Sequence, residues 1–574
     1  MSKRFLSYLV FSILLGGCHS TPNDVQQPPA LPALPPPAAS PVLFIDVTEK
    51  AGIRFRHNSG AKGQKLLPET MGGGGGSIDY DNDGWLDIVL ISSAGGQSDA
   101  PKGSSPLVTL YHNNHDGTFT EESRRVEWHG SCYGMGVAVG DYDNDGYDDL
   151  YVTGIPQGKL FHNVPDGKGG RRLVEVTLQC GIQDKGWSAS AVWLDYDRDG
   201  NLDLFVAHYV QWSAERDKGN FYSVDGVNRS YARPQAFAGE PCRLYHNLGR
   251  GKFEDVSQKA GFLSVPQTKA LGVVVNDYDN DGYPDIFVAN DTEPNQLWHN
   301  QGDGIFKEIA QESGIAVSGE GAARAGMGID SADITGTGRF DILITNFSGE
   351  QLSLYRRDNA GLFLDVAARS GVGTASQTYL GFGACFFDYD MDGWQDLLVT
   401  NGHIQDDIDK RDSGVSYAEP TLLFHNRGGG NFTEESAHVG NALTRPRVGR
   451  AASYGDFDND GSLDILLVTN NGAPVLLHNE NHTGNGWIRL VLEGRRSNKD
   501  AIGARVRVTV GGEVQTFEVR TGSSYLASQD RRLLVGLGKA ASADKVEIRW
   551  SSGRVQSLGK IGRGETKHIL EEAP

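Results

Sequence analysis

Cysteine is scarce in this chain: there are five in 574 residues and no C-x-x-C pair, which excludes a disulfide scaffold and gives no sign of a zinc or thioredoxin-type site. Long apolar runs are missing too. The hydrophobic segment at residues 5–15 is too short to span a bilayer stably. No stretch holds a helical period for long and no haem motif or other cofactor signature is present, so the chain reads as all-β and a redox protein is disfavoured. Positive charge is also in deficit. With 53 Lys and Arg against 73 Asp and Glu the net charge is −20, so no nucleic-acid partner is expected.

What the chain has in plenty is glycine, 75 residues, and a repeated acidic nonapeptide. In DYDNDGWLD, residues 79–87, carboxylates stand at positions 1, 3, 5 and 9 and Gly84 at position 6. Calcium takes about six to eight oxygen ligands, and a glycine at the sharp turn lets successive ligands face inward. Six carboxylate sets follow this spacing: Asp79, Asp81, Asp83 and Asp87; Asp141, Asp143, Asp145 and Asp149; Asp195, Asp197, Asp199 and Asp203; Asp277, Asp279, Asp281 and Asp285; Asp388, Asp390, Asp392 and Asp396; Asp456, Asp458, Asp460 and Asp464. A further loop, from Asp333 to Asp341, has Thr335 and Thr337 in place of two carboxylates and is expected to bind calcium weakly or not at all.

An EF-hand needs a bidentate Glu at position 12. Here that position is Leu90, Val152, Val206, Val288, Val399 or Leu467, inside apolar β-type runs. As mere solvated turns, the aligned carboxylates would repel one another without benefit. About six Ca²⁺ ions are therefore expected, offsetting about twelve negative charges.

The loops begin at 79, 141, 195, 277, 333, 388 and 456, intervals that leave room for four short strands per unit. Each unit runs in one order: a Gly-rich apolar strand, the acidic loop, a second strand, an L-x-x-N strand such as LYHN (110–113), and an F-x-[DE] strand. Fourth strands begin at Phe119, Leu173, Phe253, Phe306, Phe363 and Phe432, whereas the seventh unit has none, and residues 44–48 supply the missing one from the other end of the chain. Such closure removes an open sheet edge. The expected fold is a seven-bladed β-propeller over residues 42–484. It is followed over 485–574 by a small β-sandwich-like domain, read from alternating segments such as WIRLVLEG (487–494) and KVEIRW (545–550).

At the N-terminus, Lys3 and Arg4 precede the apolar segment, and Leu15-Gly16-Gly17-Cys18 resembles a bacterial lipobox with Cys18 as lipid acceptor. Residues 1–17 then form a lipoprotein signal peptide and 18–41 a Pro/Ala-rich tether. The expectation is an exported protein, lipid-anchored to a bacterial membrane.

The repeated units are similar to the FG-GAP/VCBS repeats of integrin-α-type propellers. The tail is similar to an ASPIC/UnbV domain in residues 498–504, 522–526 and 546–550. Together they resemble the cartilage acidic protein 1-like family. The resemblance implies a secreted or surface-held, calcium-binding protein with no assigned reaction.

If the cation loops close one face of the propeller, the other face is built from second-strand ends and the residues before first strands. The former carry His208, Asn290, Asp291, Asn346, Asn401 and His403; the latter carry Glu69, Trp187, Lys269, Arg324, Tyr379 and Arg450. Both sets should converge on the channel mouth, with long insertions at 209–241 and 405–420 as a lid or rim. The favoured function is recognition or adhesion through a glycan or protein ligand at that mouth. The alternative is an enzyme acting on a sugar or other small polar substrate, with Glu69 or His403 as acid/base and Arg324 or Arg450 steadying negative charge. Cys132, Cys180 and Cys242 are available for pairing in an oxidising compartment, while Cys385 is expected to be buried.

Overall fold

The computed structural model describes residues 40–94, 106–128, 130–265, 268–410 and 414–573. The expected signal segment, Cys18 and most of the tether lie outside the described residues, as do residues 411–413 of the second insertion.

Seven sheets carry the same four-strand meander. Their first strands are Gly75–Ile78, Tyr133–Gly140, Ser188–Leu194, Ala270–Asn276, Ile329–Ala332, Gly381–Phe387 and Gly449–Gly455, nearly all buried. Each packs against the next, and the last returns to the first. The last sheet takes its outer strand from Val42–Asp46, paired antiparallel with Val475–Asn481, so the N-terminus closes the ring.

An apolar core fills each seam between sheets, and this separates the cysteines. Cys132, Cys180, Cys242 and Cys385 are all buried and free, and each sits in a different core cluster. The pairing left open for Cys132, Cys180 and Cys242 does not occur among them.

Polar staples lock the same seams. In the L-x-x-N strands the Asn Nδ2 donates to its own loop and to the preceding sheet. Asn247 reaches Leu202 O at 2.9 Å and Tyr142 O at 2.7 Å; Asn113 reaches Phe457 O at 2.8 Å across the closure. Asn163, Asn300, Asn426 and Asn479 do the same. Where the fifth sheet has Arg357 instead, its guanidinium donates to Tyr278 O.

The C-terminal part is a sandwich of a three-stranded and a four-stranded sheet around Ile488, Val506, Val535, Val546 and Trp550. It is not a separate body: residues 40–574 form one compact unit. Its arginines meet the acidic loops. Arg549 lies 2.6 Å from Asp277, Arg489 pairs with Asp456, and Arg531 lies 3.2 Å from Asp148. A segment at 521–529 then enters the channel. Ala527 and Ser528 pair in parallel with Gly75 and Gly76, Ser524 exchanges backbone hydrogen bonds with Ile329, Ser524 Oγ accepts from Ala384 N at 3.0 Å, and Ser453 Oγ donates to Ser528 O at 2.7 Å. Tyr525 is fully buried, 5.0 Å from the Phe382 ring, and its hydroxyl donates to Met71 O. Two glycines of the run at 72–76 follow from this intrusion, because a Cβ on Gly74 would stand 2.0 Å from Leu526 O and one on Gly76 2.4 Å from Ser528 O.

Asn247→Ala removes two buried hydrogen bonds and strands two carbonyls, a loss of about 3 kcal/mol. The expected result is a melting temperature several degrees lower. Exposed Asn114, changed to Ala, should alter it little; equal effects would remove the staple from the account of stability.

Candidate functional site

Two candidate regions emerge, the acidic loops and the opposite mouth. In every intact loop the first carboxylate accepts the backbone N–H of position 6, and in the loops of Asp79, Asp141, Asp388 and Asp456 it also accepts that of position 5. Asp79 accepts from Asp83 N and Gly84 N, both at 3.0 Å, and Asp388 from Asp392 N and Gly393 N at 3.0 and 2.8 Å. The ninth carboxylate is held from three sides. Asp203 accepts from Tyr196 N at 3.2 Å, Asn247 N at 2.8 Å and His246 Nδ1 at 3.0 Å.

That histidine went unnoticed in the sequence, although it recurs as His112, His162, His246, His299, His425 and His478 within L-x-H-N. Most sets gather two carboxylates and this imidazole within 4.8 Å, as in Asp81, Asp87 and His112. Burial, then repulsion from Asp203, Asp199 and Asp197, pushes Asp195 up to about 8; burial, then Asp500, pushes Asp141 up to about 9. Oδ1 atoms of Asp81, Asp195 and Asp277 are buried without a hydrogen-bond partner. These donors fit a hard divalent cation, which would be held by the position 1, 3 and 5 carboxylates with position 9 behind them and would supply the missing positive charge. In the fifth loop Arg356 Nε stands 3.5 Å from Asp341, where other units place the histidine, so a guanidinium already provides that charge.

The mouth holds a cavity of about 410 Å³. Its walls are Met71, Leu271, Met327 and Phe382 from the channel rim, Phe347, Glu350, Asp291 and Thr292 beyond second strands, and Tyr209, Tyr222, Arg233, Gln405 and Ile408 from the two insertions. The described parts of the insertions are tied to the rim and to each other. Asp217 accepts from Leu67 N at 2.7 Å and Trp212 Nε1 at 2.8 Å, and the Gln405 amide bonds both Tyr231 N and Tyr231 O.

Of the side chains expected at this mouth, only His403 and Asp291 line the cavity. His403 Nδ1 accepts from Gln405 N at 3.0 Å, and burial lowers its pKa to about 4, so it is neutral. Glu69 lines a neighbouring cavity of about 380 Å³ with Tyr133 and Trp212, and burial raises its pKa. Arg450 is fully buried and donates to Thr70 O, Gly402 O and Gly449 O. Arg324 pairs with Glu320 and Asp365, and Lys269 with Glu293. Asn290 and Asn346 donate to Pro294 O and Gln351 O, which closes local turns, and Asn401 donates to Pro420 O at the far end of the second insertion. Trp187 packs on Tyr209 and Trp212, and Tyr379 packs, partly buried, against the apolar core that fills the seam between the fifth and sixth sheets. His208 Nε2 lies 2.7 Å from Asp184. The cavity's own acids and aromatics include Glu350 and Phe347, which lie just past Asn346 and carry no repeated pattern that would mark them.

Among the described residues no helix is long and apolar enough to cross a membrane. The FG-GAP-like repeat model matches residues 79–152, 236–288, 277–344 and 333–399, and the ASPIC and UnbV model matches 494–573. Cartilage acidic protein 1 of Xenopus tropicalis is 24% identical over 539 residues, covering 88% of this chain and 74% of the relative. The Homo sapiens protein of the same name is 25% identical over 496 residues, covering 76% and 71%. Integrin alpha pat-2 of Caenorhabditis briggsae is 23% identical over 248 residues, covering 40% and 19%.

Metal analysis of the purified protein is expected to give about five to six calcium ions per chain, with none at the Arg356 loop, and chelation should lower the melting temperature by several degrees. One ion or none would overturn the assignment. Burial alone would lower His208, but Asp184 and Glu240 outweigh it and hold it at about 9. Because this folded pKa lies above the ordinary value of about 6.5, the stabilisation is complete below about 6.5 and is lost as pH rises through about 9. With calcium saturating, the melting temperature of His208→Gln should therefore fall less than that of wild type between those limits, and parallel curves would refute the ion pair.

Proposed function

The chain belongs to the FG-GAP-repeat, ASPIC/UnbV family of cartilage acidic protein 1-like proteins, and we propose that it is an extracytoplasmic recognition protein that binds a glycan or protein ligand at the mouth cavity. The observation that carries this reading is the division of the two faces. The C-terminal domain covers the acidic loops and fills the channel, while the opposite mouth keeps a cavity of about 410 Å³ walled by residues that do not repeat. Pockets of this kind, mostly apolar with a few placed polar groups, are the usual form of ligand sites. Calcium in the loops serves rigidity, since an ion bound only by the folded chain adds to its stability. Lipid on Cys18 holds the protein to a bacterial membrane.

A second reading, an enzyme for a sugar or other small polar substrate, is favoured by one group. Burial raises Asp291 to about 6, a value suited to acid/base work, inside that cavity. Glycan and peptide arrays probed with wild type, Phe347→Ala and the distant surface variant Leu178→Ser test the site. Binding by wild type and Leu178→Ser, with at least tenfold loss in Phe347→Ala, is expected; equal binding by all three removes the mouth from function. Turnover of a bound sugar that stops in Asp291→Asn would favour the enzyme. Replacement of Cys18 by Ser should release the protein from membranes, and continued sedimentation with them would refute the anchor.

A further inference from the structure

The mouth cavity carries two acids, Asp291 and Glu350, that form no ion pair among the described residues. Asp291 Oδ2 accepts the Tyr209 hydroxyl at 2.5 Å, and Glu350 Oε2 accepts Ala325 N at 3.0 Å. The cations nearby are engaged elsewhere. Lys269 is paired with Glu293, and the Arg233 guanidinium lies over the Tyr222 ring at 4.7 Å. Burial acts most strongly on Asp291, with the Tyr209 hydroxyl and the charge of Lys269 favouring its ionised form and the charges of Glu350 and Glu293 opposing it.

Directly after Asp291 comes Thr292, a β-branched residue held at φ 61°, a conformation such residues rarely adopt. Its Oγ1 is buried with no hydrogen-bond partner. Strain of this kind persists where the surroundings fix it, and it clusters at ligand sites. The remaining walls are Met71, Leu271, Met327, Phe347 and Phe382, polarisable surfaces that suit a desolvated cation or an aromatic ring.

Building on the recognition reading above, we propose that the cavity binds a protonated amine or guanidinium carried on an apolar or aromatic body, with Asp291 and Glu350 as its counter-charge. A free organic amine and a lysine or arginine side chain of a protein partner present the same chemistry. The test is titration calorimetry of wild type, Asp291→Asn, Glu350→Gln and Phe347→Ala with phenethylamine, with its neutral isostere 2-phenylethanol, and with a terminally blocked peptide holding one lysine or norleucine in its place. Both acid variants keep an acceptor for Tyr209 or Ala325 N, and unchanged melting temperatures confirm that they fold.

Wild type should prefer phenethylamine over 2-phenylethanol, or the lysine peptide over the norleucine peptide, and either acid variant should lose about tenfold to a hundredfold in affinity. Binding of the peptide without the free amine identifies a protein side chain as the source; binding of the amine identifies a small molecule. Equal affinity for charged and neutral probes, or binding untouched by both acid variants, overturns the cationic ligand while leaving the recognition site intact if Phe347→Ala still abolishes it. No binding by any probe at millimolar concentration also overturns the proposal.

Discussion

The structure depends on one polar arrangement repeated round a ring. The ninth aspartate of each acidic loop accepts from the backbone N–H of the L-x-H-N asparagine, and the asparagine side chain then donates to its own loop and to the sheet before it. A loop that would otherwise be a separate turn becomes a link in a chain of seams. Buried carbonyls must be paired, so loss of one link leaves two carbonyls stranded. The fifth sheet shows that what is required is hydrogen-bonding function rather than residue identity: Arg357 reaches Tyr278 O in place of the asparagine, and Arg356 faces Asp341 in place of the histidine.

The C-terminal domain builds on that ring. Its arginines are drawn to the aspartates of the loop face, and its 521–529 segment supplies hydrogen-bond partners to first strands from several sheets at once. A propeller channel lined by apolar strands would otherwise hold unpaired edges and empty space; here Tyr525 and Leu526 fill it. The same step decides where a ligand can go. With one face covered and the channel filled, the mouth cavity is left between the rim and the two insertions.

Several parts of this were legible in the residues. The loops, the order of strands in each unit and the strand donated by Val42–Asp46 follow from spacing, because period-two strands and turn residues are local signals. The candidate site was less legible. The positions before first strands and after second strands do lie at the mouth, yet Arg450 turns inward to backbone carbonyls and Arg324 outward to carboxylates, since each guanidinium takes the nearest acceptors that desolvation leaves it. His403 and Asp291 reach the cavity, whereas Glu350, Phe347 and Phe382 belong to no repeat and have no sequence mark.

Taken alone, the amino-acid sequence determined the all-β repeat, its closure by the N-terminal strand, the acidic loops and the sandwich at the tail. Each of these is encoded within one strand, one turn or one regular interval. Tertiary structure alone decided that the cysteines lie in separate seams, that the tail domain covers the loops and threads the channel, and that two carboxylates with no ion pair among the described residues share a largely apolar cavity. Those outcomes depend on which side chains far apart in the chain meet after the ring closes, and burial, which no local pattern records, sets their partners and their charge.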